Sequence, residues 1–392
     1  MCIAKLIFYT TLIGVLYYFI LYPFTLWLIV LLKNEQKQDQ SILDQGYLPS
    51  VSFIISVYNE EAIIKDKLKN TLQLTYPEEK LEVLVVSDAS TDSTDEIVKD
   101  YPDERVKLVR QPERLGKTEA LNFALESANA ECVVFTDANS MYEQDALNYL
   151  LGHFSNPRVG FVTGTTRYIT TEDNTLGQST NIYSKLEGLL KDLESRIGYC
   201  VGADGAIFAI RKKLYRPLKS WDINDLVIPL NIIEQGYMGL QDNRAICREQ
   251  SVQDKEREFD RQVRITNRTL RAIFNNKHLL NPFHYPLFSF LLFSHKLIKF
   301  ALPFFLFLLL ISNLFLLTQG AFYIITFAGQ ICFYALAITH SKAREESFLG
   351  SNRLAGAVHS FCIVVLAYLY GWWKLLTGET YSVWKPSGSE NY

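Results

Sequence analysis

The chain has 392 residues, 48% of them hydrophobic and 13% aromatic, and its formal net charge is −3. That length supports a large core and two or three domains, and the near-neutral charge removes the electrostatic reason to expect a nucleic-acid partner. Six scattered cysteines with no CxxC pair argue against a zinc site or disulfide framework and for small buried hydrophobes in a reducing compartment.

Apolar residues gather at the two ends. Leu6 to Leu32 carries no charge. About 27 residues at ~1.5 Å each exceed the ~30 Å hydrocarbon core, so residues 1–33 read as a membrane anchor. A cleaved signal peptide would have an apolar region of only ~7–15 residues ending in small side chains. This run instead ends Leu31-Leu32-Lys33-Asn34. Lys33 and Lys37 favour a cytoplasmic location for the chain beyond the anchor, beginning with a linker over 34–49.

Residues 50–280 read as an α/β domain. Val51–Val57 is a β-branched, apolar strand that stops at Tyr58-Asn59-Glu60-Glu61, and a helix is expected over 61–73. Leu81–Ser87 is a second strand, ending at Asp88-Ala89-Ser90-Thr91-Asp92, with a helix over 93–99. A third strand covers 106–110, a helix 117–128, and a fourth strand 132–136, ending at Asp137. This alternation predicts a mostly parallel sheet covered on both faces. Ligands of such sheets sit beyond the carboxyl ends of the strands, where Glu60, Asp88 and Asp137 stand. Each alone also suits a helix cap or a turn; three together point to a site. Without a GxGxxG or GxxxxGK[ST] loop, the usual dinucleotide and P-loop sites are absent.

Residues 281–296 mix aromatic and polar side chains and read as an amphipathic interfacial segment, the alternative being the start of the next span. Apolar stretches follow at 297–318, 321–340 and 354–373, within a membrane region over 297–374. Gln319-Gly320 leaves room only for a tight antiparallel hairpin, and Lys342, Arg344 and Arg353 point the next loop to the cytoplasm. The last stretch has two readings. A full crossing puts the tail 375–392 outside, whereas Gly356, His359 and Trp372-Trp373 suit a shallow or re-entrant helix equally well.

Four motifs in order now matter: Val57-Tyr58-Asn59-Glu60, Ser87 through Asp92, Gly116-Lys117-Thr118-Glu119-Ala120-Leu121-Asn122, and Thr136-Asp137-Ala138-Asn139. Over about 50–275 the chain resembles the family 2 glycosyltransferases with a GT-A fold, above all their membrane-embedded branch of cellulose, chitin and hyaluronan synthases. The resemblance implies an integral protein of a bacterial-type inner or plasma membrane, with a cytoplasmic GT-A nucleotide-sugar-binding domain. It implies that Val57, Glu60 and Asp88 hold the nucleoside of a UDP-sugar donor and that Lys117 approaches the nucleotide. Asp137-Ala138-Asn139 matches the DxD that holds a divalent cation, Mg²⁺ or Mn²⁺, on the diphosphate. Hard oxygen ligands suit such an ion, and the Asn139 amide brings less charge than a second carboxylate.

The resemblance continues at Gly202-Ala203-Asp204-Gly205-Ala206, an acceptor-side stretch that places Asp204 and Gly205 near a sugar; a plain turn is the competing reading. Ile223-Asn224-Asp225 matches the motif of the catalytic base. Asp225 is thus expected to deprotonate the acceptor hydroxyl as it attacks the anomeric carbon with inversion, or merely to complement a helix start. Arg261-Gln262-Val263-Arg264-Ile265 departs from QxxRW. Arg264 matches the arginine and suits bidentate pairing with the diphosphate, but Ile265 replaces the tryptophan that stacks on an acceptor, which speaks against processive synthesis. A basic helix face of Arg257, Arg264, Arg268 and Arg271 against the membrane is the other reading. The tail 378–386 resembles the C-terminal stretch of such enzymes and places Trp384 near the site.

The leading expectation is inverting transfer from a UDP-sugar to a growing polysaccharide at the cytoplasmic membrane face. Single addition to a lipid-linked acceptor is second. A non-catalytic membrane protein that binds nucleotide-sugars is third, disfavoured because Glu60, Asp88, Asp137 and Asp225 are all present.

Overall fold

The computed structural model describes residues 1–33, 47–169, 175–250, 255–342 and 352–381. Helices α1 (Cys2–Leu16) and α2 (Tyr22–Leu32) are joined by one π turn, so the apolar N-terminal run is a single helix of 31 residues. Strand β1 (Val51–Val57) follows, then α3 (Ile64–Leu72), β2 (Leu81–Ser87), α4 (Thr94–Lys99), β3 (Val106–Arg110), α5 (Lys117–Ser127) and β4 (Cys132–Asp137). Helix α3 starts three residues later than its sequence suggests. Glu61 is engaged across the crevice instead, its N–H donating to Asp92 (3.1 Å) and its carboxylate accepting from the Ser93 N–H (2.9 Å).

After β5 (Met141–Tyr142), α6 (Ala146–Gly152) and β6 (Val159–Ile169) come α7 (Thr175–Ile197), β7 (Phe208–Arg211), α8 (Asn224–Glu234), β8 (Met238–Gln250) and α9 (Lys255–Asn275). The eight strands form one sheet in the order β3-β2-β1-β4-β7-β6-β8-β5. Its first four strands are parallel, as their unbroken apolar runs require, and β7 and β5 introduce antiparallel pairs. The register aligns Val57 with Ser87 and Ser56 with Asp137, so three strands end on one edge.

Helices α10 (Pro286–Leu292) and α11 (Ile298–Leu314) are joined by a π turn into one 29-residue helix, followed by α12 (Ala321–Lys342) and α13 (Arg353–Leu376). From Pro286 on, the segment expected to be interfacial continues into the next apolar helix without a break, the second of its two readings. Among the described residues, four helices are long and apolar enough to cross a membrane.

A core on one sheet face, around Phe53, Ile55 and Val134, packs against α3, α4 and α6. The opposite core runs from Ile54, Leu84 and Phe135 through α5 and α8 to Tyr18, Tyr22 and Leu26 of the N-terminal helix and Phe288, Leu291 and Leu292 of α10. The sheet and the membrane-type helices thus share one hydrophobic core.

Candidate active site

The loops after β1 and β2 are clamped to each other. Asn59 adopts a left-handed conformation (φ 55°), and its side-chain oxygen accepts from the Thr91 N–H (2.8 Å). The Asn59 N–H donates to Ser90 (3.2 Å), and the Glu60 N–H donates to Thr94 (2.8 Å). Arg114 stacks 3.6 Å above the ring of Tyr58, giving this corner a flat cationic lid.

Val57 ends β1 with its side chain in the core, and its carbonyl accepts from the Asp88 N–H (3.0 Å), so only its backbone borders the crevice. Asp88 is fully buried; its carboxylate accepts from the N–H groups of Leu115 (2.8 Å) and Gly116 (3.0 Å). Its carboxylate thereby fixes the loop that carries Lys117. Gly116 sits at φ 95°, a conformation that favours glycine.

Lys117 pairs with Asp137, which also accepts from the Ser56 hydroxyl (3.2 Å). Glu60 is half-buried, and burial together with the charges of Asp137 and Asp92 pushes its carboxyl up to about 7. Glu249, at the end of β8, is also raised to about 7, by burial and by Asp137, despite a hydrogen bond from Ser140. Negative charge is thus crowded around Asp137, an arrangement that added positive charge relieves. Among the described residues no three His, Cys, Asp or Glu side chains form a preformed cation cage. Asp137 and, two residues on, the half-buried Asn139 are hard oxygen donors, a type that fits a divalent ion completed by phosphate.

Asp225 opens α8 at the far wall. The Asp225 carbonyl accepts from the Ala203 N–H (2.7 Å), which docks the Gly202–Ala206 turn against the helix. A Cβ on Gly205 would lie 3.2 Å from Asp225 Oδ2, so glycine there keeps the carboxylate uncrowded. Asp225 Oδ1 is buried and has no hydrogen-bond partner among the described residues. Burial raises this carboxyl, against the opposing charges of Lys191, Lys117, Lys296 and Arg268. The half-buried Asp204 carboxylate accepts from the N–H groups of Thr166 (3.0 Å) and Ala206 (3.2 Å).

Helix α9 closes the site. Burial lowers Arg264, which is near enough to Asp137 to feel its charge. Arg268 donates to Thr118 (3.0 Å) and to the Asp222 carbonyl, and Arg271 donates to the Glu379 carbonyl (2.8 Å). These arginines face the catalytic domain and the tail, so a basic face against the membrane is not what they form. Arg261, in the place of the glutamine, pairs with Glu258 (3.2 Å). Trp384 lies outside the described residues.

Sequence reasoning missed Lys67. It is fully buried beneath the Asp137 loop, donating to Thr136 (3.2 Å) and to the Ser140 carbonyl, with Tyr142 and Phe53 rings 4.6 and 5.3 Å away. Burial brings its ammonium down to about 7, although Cys247, Asp137 and Glu249 favour the charged form. Helical phase was the available signal: Lys67 falls on the same face as buried Ile64, Leu68 and Thr71. Also missed was Lys191, which donates to the Ala203 carbonyl (3.2 Å) behind Asp225.

Residues 52–217 match Glycosyl transferase family 2. The chain carries a glycosyltransferase family 2 domain. Poly-beta-1,6-N-acetyl-D-glucosamine synthase of Staphylococcus epidermidis RP62A is 30% identical to it over 244 residues, 60% of this chain and 56% of that protein. The synthase of the same name from Staphylococcus aureus COL is 30% identical over 207 residues, 51% of this chain and 50% of the relative. The chain therefore spans about half the length of the curated relatives it matches. Among solved structures, the mannosyltransferase PcManGT from Pyrobaculum calidifontis, in complex with GDP-Man and Mn²⁺, superposes with a TM-score of 0.71. It covers 96% of this chain and 99% of that one at 21% identity, a likeness of fold that extends to the apolar helices around the family 2 domain. The fold is GT-A, with a mixed, largely parallel sheet.

Proposed function

We propose that this protein is an inverting glycosyltransferase that moves a sugar from a UDP-sugar to a growing polysaccharide at the cytoplasmic face of a membrane. The observation that carries the reading is Asp225: a half-buried carboxylate with one buried, unpartnered oxygen, kept uncrowded by Gly205 and near enough to Lys117 to feel its charge. Its raised proton affinity suits a general base for an acceptor hydroxyl. The sugar's bond to the diphosphate breaks as the acceptor oxygen bonds to the anomeric carbon, and the hydroxyl proton passes to Asp225.

Glu60 and the backbone at Val57 border the nucleoside, with Asp88 holding the loop that brings Lys117 to the diphosphate. Arg264 faces the same phosphates from α9. Asp137 and Asn139 are the residues to hold a divalent cation, which when bound supplies positive charge to the departing diphosphate. The polysaccharide reading is supported by the names of the staphylococcal relatives. Ile265 in place of a stacking tryptophan favours a second reading: single addition to a lipid-linked acceptor.

The test is nucleotide release by purified protein in membrane lipid, with Mg²⁺ or Mn²⁺, across UDP- and GDP-sugars. Release with a UDP-sugar, abolished in Asp225→Asn while donor binding persists, is the expected result. Product size then separates polymer from single addition. Full activity in Asp225→Asn would remove the assigned base.

A further inference from the structure

Helix α13 has 24 residues, about 36 Å at ~1.5 Å per residue, long enough to cross a membrane. Its neighbours say where it runs. Helices α11 and α12 form an antiparallel hairpin about the turn Leu317–Gln319, tied across by Gln330 Nε2 donating to the Leu306 carbonyl (3.0 Å). Phe300 and Ala337 stand on its two arms at matched depth, each about 25 Å from the turn. Near the start of α13, His359 Nδ1 donates to the Ala337 carbonyl (3.1 Å). Near its end, Trp372 Nε1 donates to the Phe300 carbonyl (2.9 Å), and Tyr368 meets the Phe300 ring edge-on. From His359 to Trp372 the helix advances about 20 Å, yet its contacts on the hairpin, with His340, Ala337 and Phe333 at one end and Phe300 and Phe304 at the other, overlap in depth. A crossing helix would climb the hairpin by that amount.

The chain beyond α13 returns to the catalytic domain. Gly371 crosses α9 so closely that a Cβ would lie 2.6 Å from Thr266 Cβ, and the Glu379 carbonyl accepts from Asn267 (3.2 Å) and Arg271 (2.8 Å). On the opposite face, Leu366, Leu369, Tyr370, Trp373 and Leu376 are 44–77% exposed. Their spacing of three, four and seven places them on one stripe, while Ala367, Tyr368 and Gly371 are buried behind it. The stripe is continuous with a bundle whose other outward faces are apolar.

We propose that α13 does not cross the membrane. It lies in the plane of the leaflet on the catalytic-domain side, with the Leu366–Leu376 stripe in lipid and both of its ends at the same aqueous face. Three helices then cross: the N-terminal one and the two arms of the hairpin. The charges at its ends, Arg353 and Lys374, both sit where a headgroup layer accepts them. The proposal stands independently of the reaction assigned above.

The test is single-cysteine labelling of the full chain, with the native cysteines replaced and donor binding retained. Arg353→Cys and Thr377→Cys are expected to react with a membrane-impermeant maleimide from the same side as Lys99→Cys, and Gln319→Cys from the other side only. Reaction of Arg353→Cys and Thr377→Cys from opposite sides overturns the proposal, as does a site that reacts in detergent but from neither side of intact vesicles. A spin label at Leu369→Cys identifies what covers the stripe. Faster relaxation by oxygen than by a water-soluble nickel complex supports lipid, whereas protection from both reagents means a second copy covers the stripe and overturns it.

Discussion

Replacing Lys67 with methionine keeps the length of the side chain and removes its ammonium from beneath the Asp137 loop. The folded protein holds Lys67 at about 7, against 10.5 for the free side chain. At ~1.4 kcal/mol per unit this amounts to about 5 kcal/mol of cost for keeping the group charged below pH 7. The sign comes from proton counts: between pH 7 and 10.5 the unfolded chain binds the extra proton, so stability rises with pH across that window. Wild type is therefore expected to gain about 2 kcal/mol on the Lys67→Met variant between pH 7 and 9. The variant also strands the Ser140 carbonyl, at about 1–3 kcal/mol, and loosens the loop that carries Asp137 and Asn139. Denaturant unfolding at the two pH values, with UDP titrations alongside, checks both parts; UDP affinity should fall about tenfold, or ~1.4 kcal/mol. A stability difference that does not change with pH, together with unaltered UDP binding, would refute the reasoning.

Three further outcomes are expected. Asp88→Asn weakens the charge-assisted bonds to Leu115 and Gly116, so UDP affinity falls about tenfold, or ~1.4 kcal/mol, without loss of fold by circular dichroism. Glu60 titrates near 7, with its carboxylate form disfavoured by burial; wild-type donor affinity should rise between pH 6 and 8, and Glu60→Gln should flatten that profile. The same sign makes Glu60→Gln more stable than wild type at pH 8, because the buried charge is gone. Gly371→Val drives a side chain into Thr266, costing about 1–3 kcal/mol in thermal unfolding, and Thr266→Ala should restore part of it.

Much of the fold could be read from local pattern. The β-branched runs at 51–57, 81–87 and 132–137 can be satisfied only by burial on both faces, so the parallel half of the sheet and its acidic edge followed from the chain itself. The rest depends on partners distant in sequence. β6 and β8 are long strands whose polar residues at Thr163, Thr166, Gln241 and Asp242 are buried by side-chain and backbone bonds, which no alternation pattern reveals. At the site, Asp225, Lys117 and Asp137 were legible because each stands at an element boundary beside a motif. Asp88 and Asp204 were legible as positions, but their carboxylates are taken by backbone N–H groups of other loops. Whether the last apolar helix crosses depends on contacts near Phe300 and Ala337, and its composition is the same either way.

The shared core between sheet and membrane-type helices is pinned by a polar knot. Glu194, fully buried on α7, accepts from Tyr22 (2.7 Å) and faces His295 Nδ1 (2.6 Å), while Glu187 faces His295 Nε2 (2.9 Å), Lys296 (2.9 Å) and Lys299 (3.2 Å). A fragment trimmed of its apolar ends would keep two carboxylates whose partners had been cut away, along with a sheet face stripped of part of its cover. The enzyme unit is therefore not portable: grafted onto a foreign anchor, it would need those partners rebuilt, and a lineage that changed its membrane helices would have to change α7 with them.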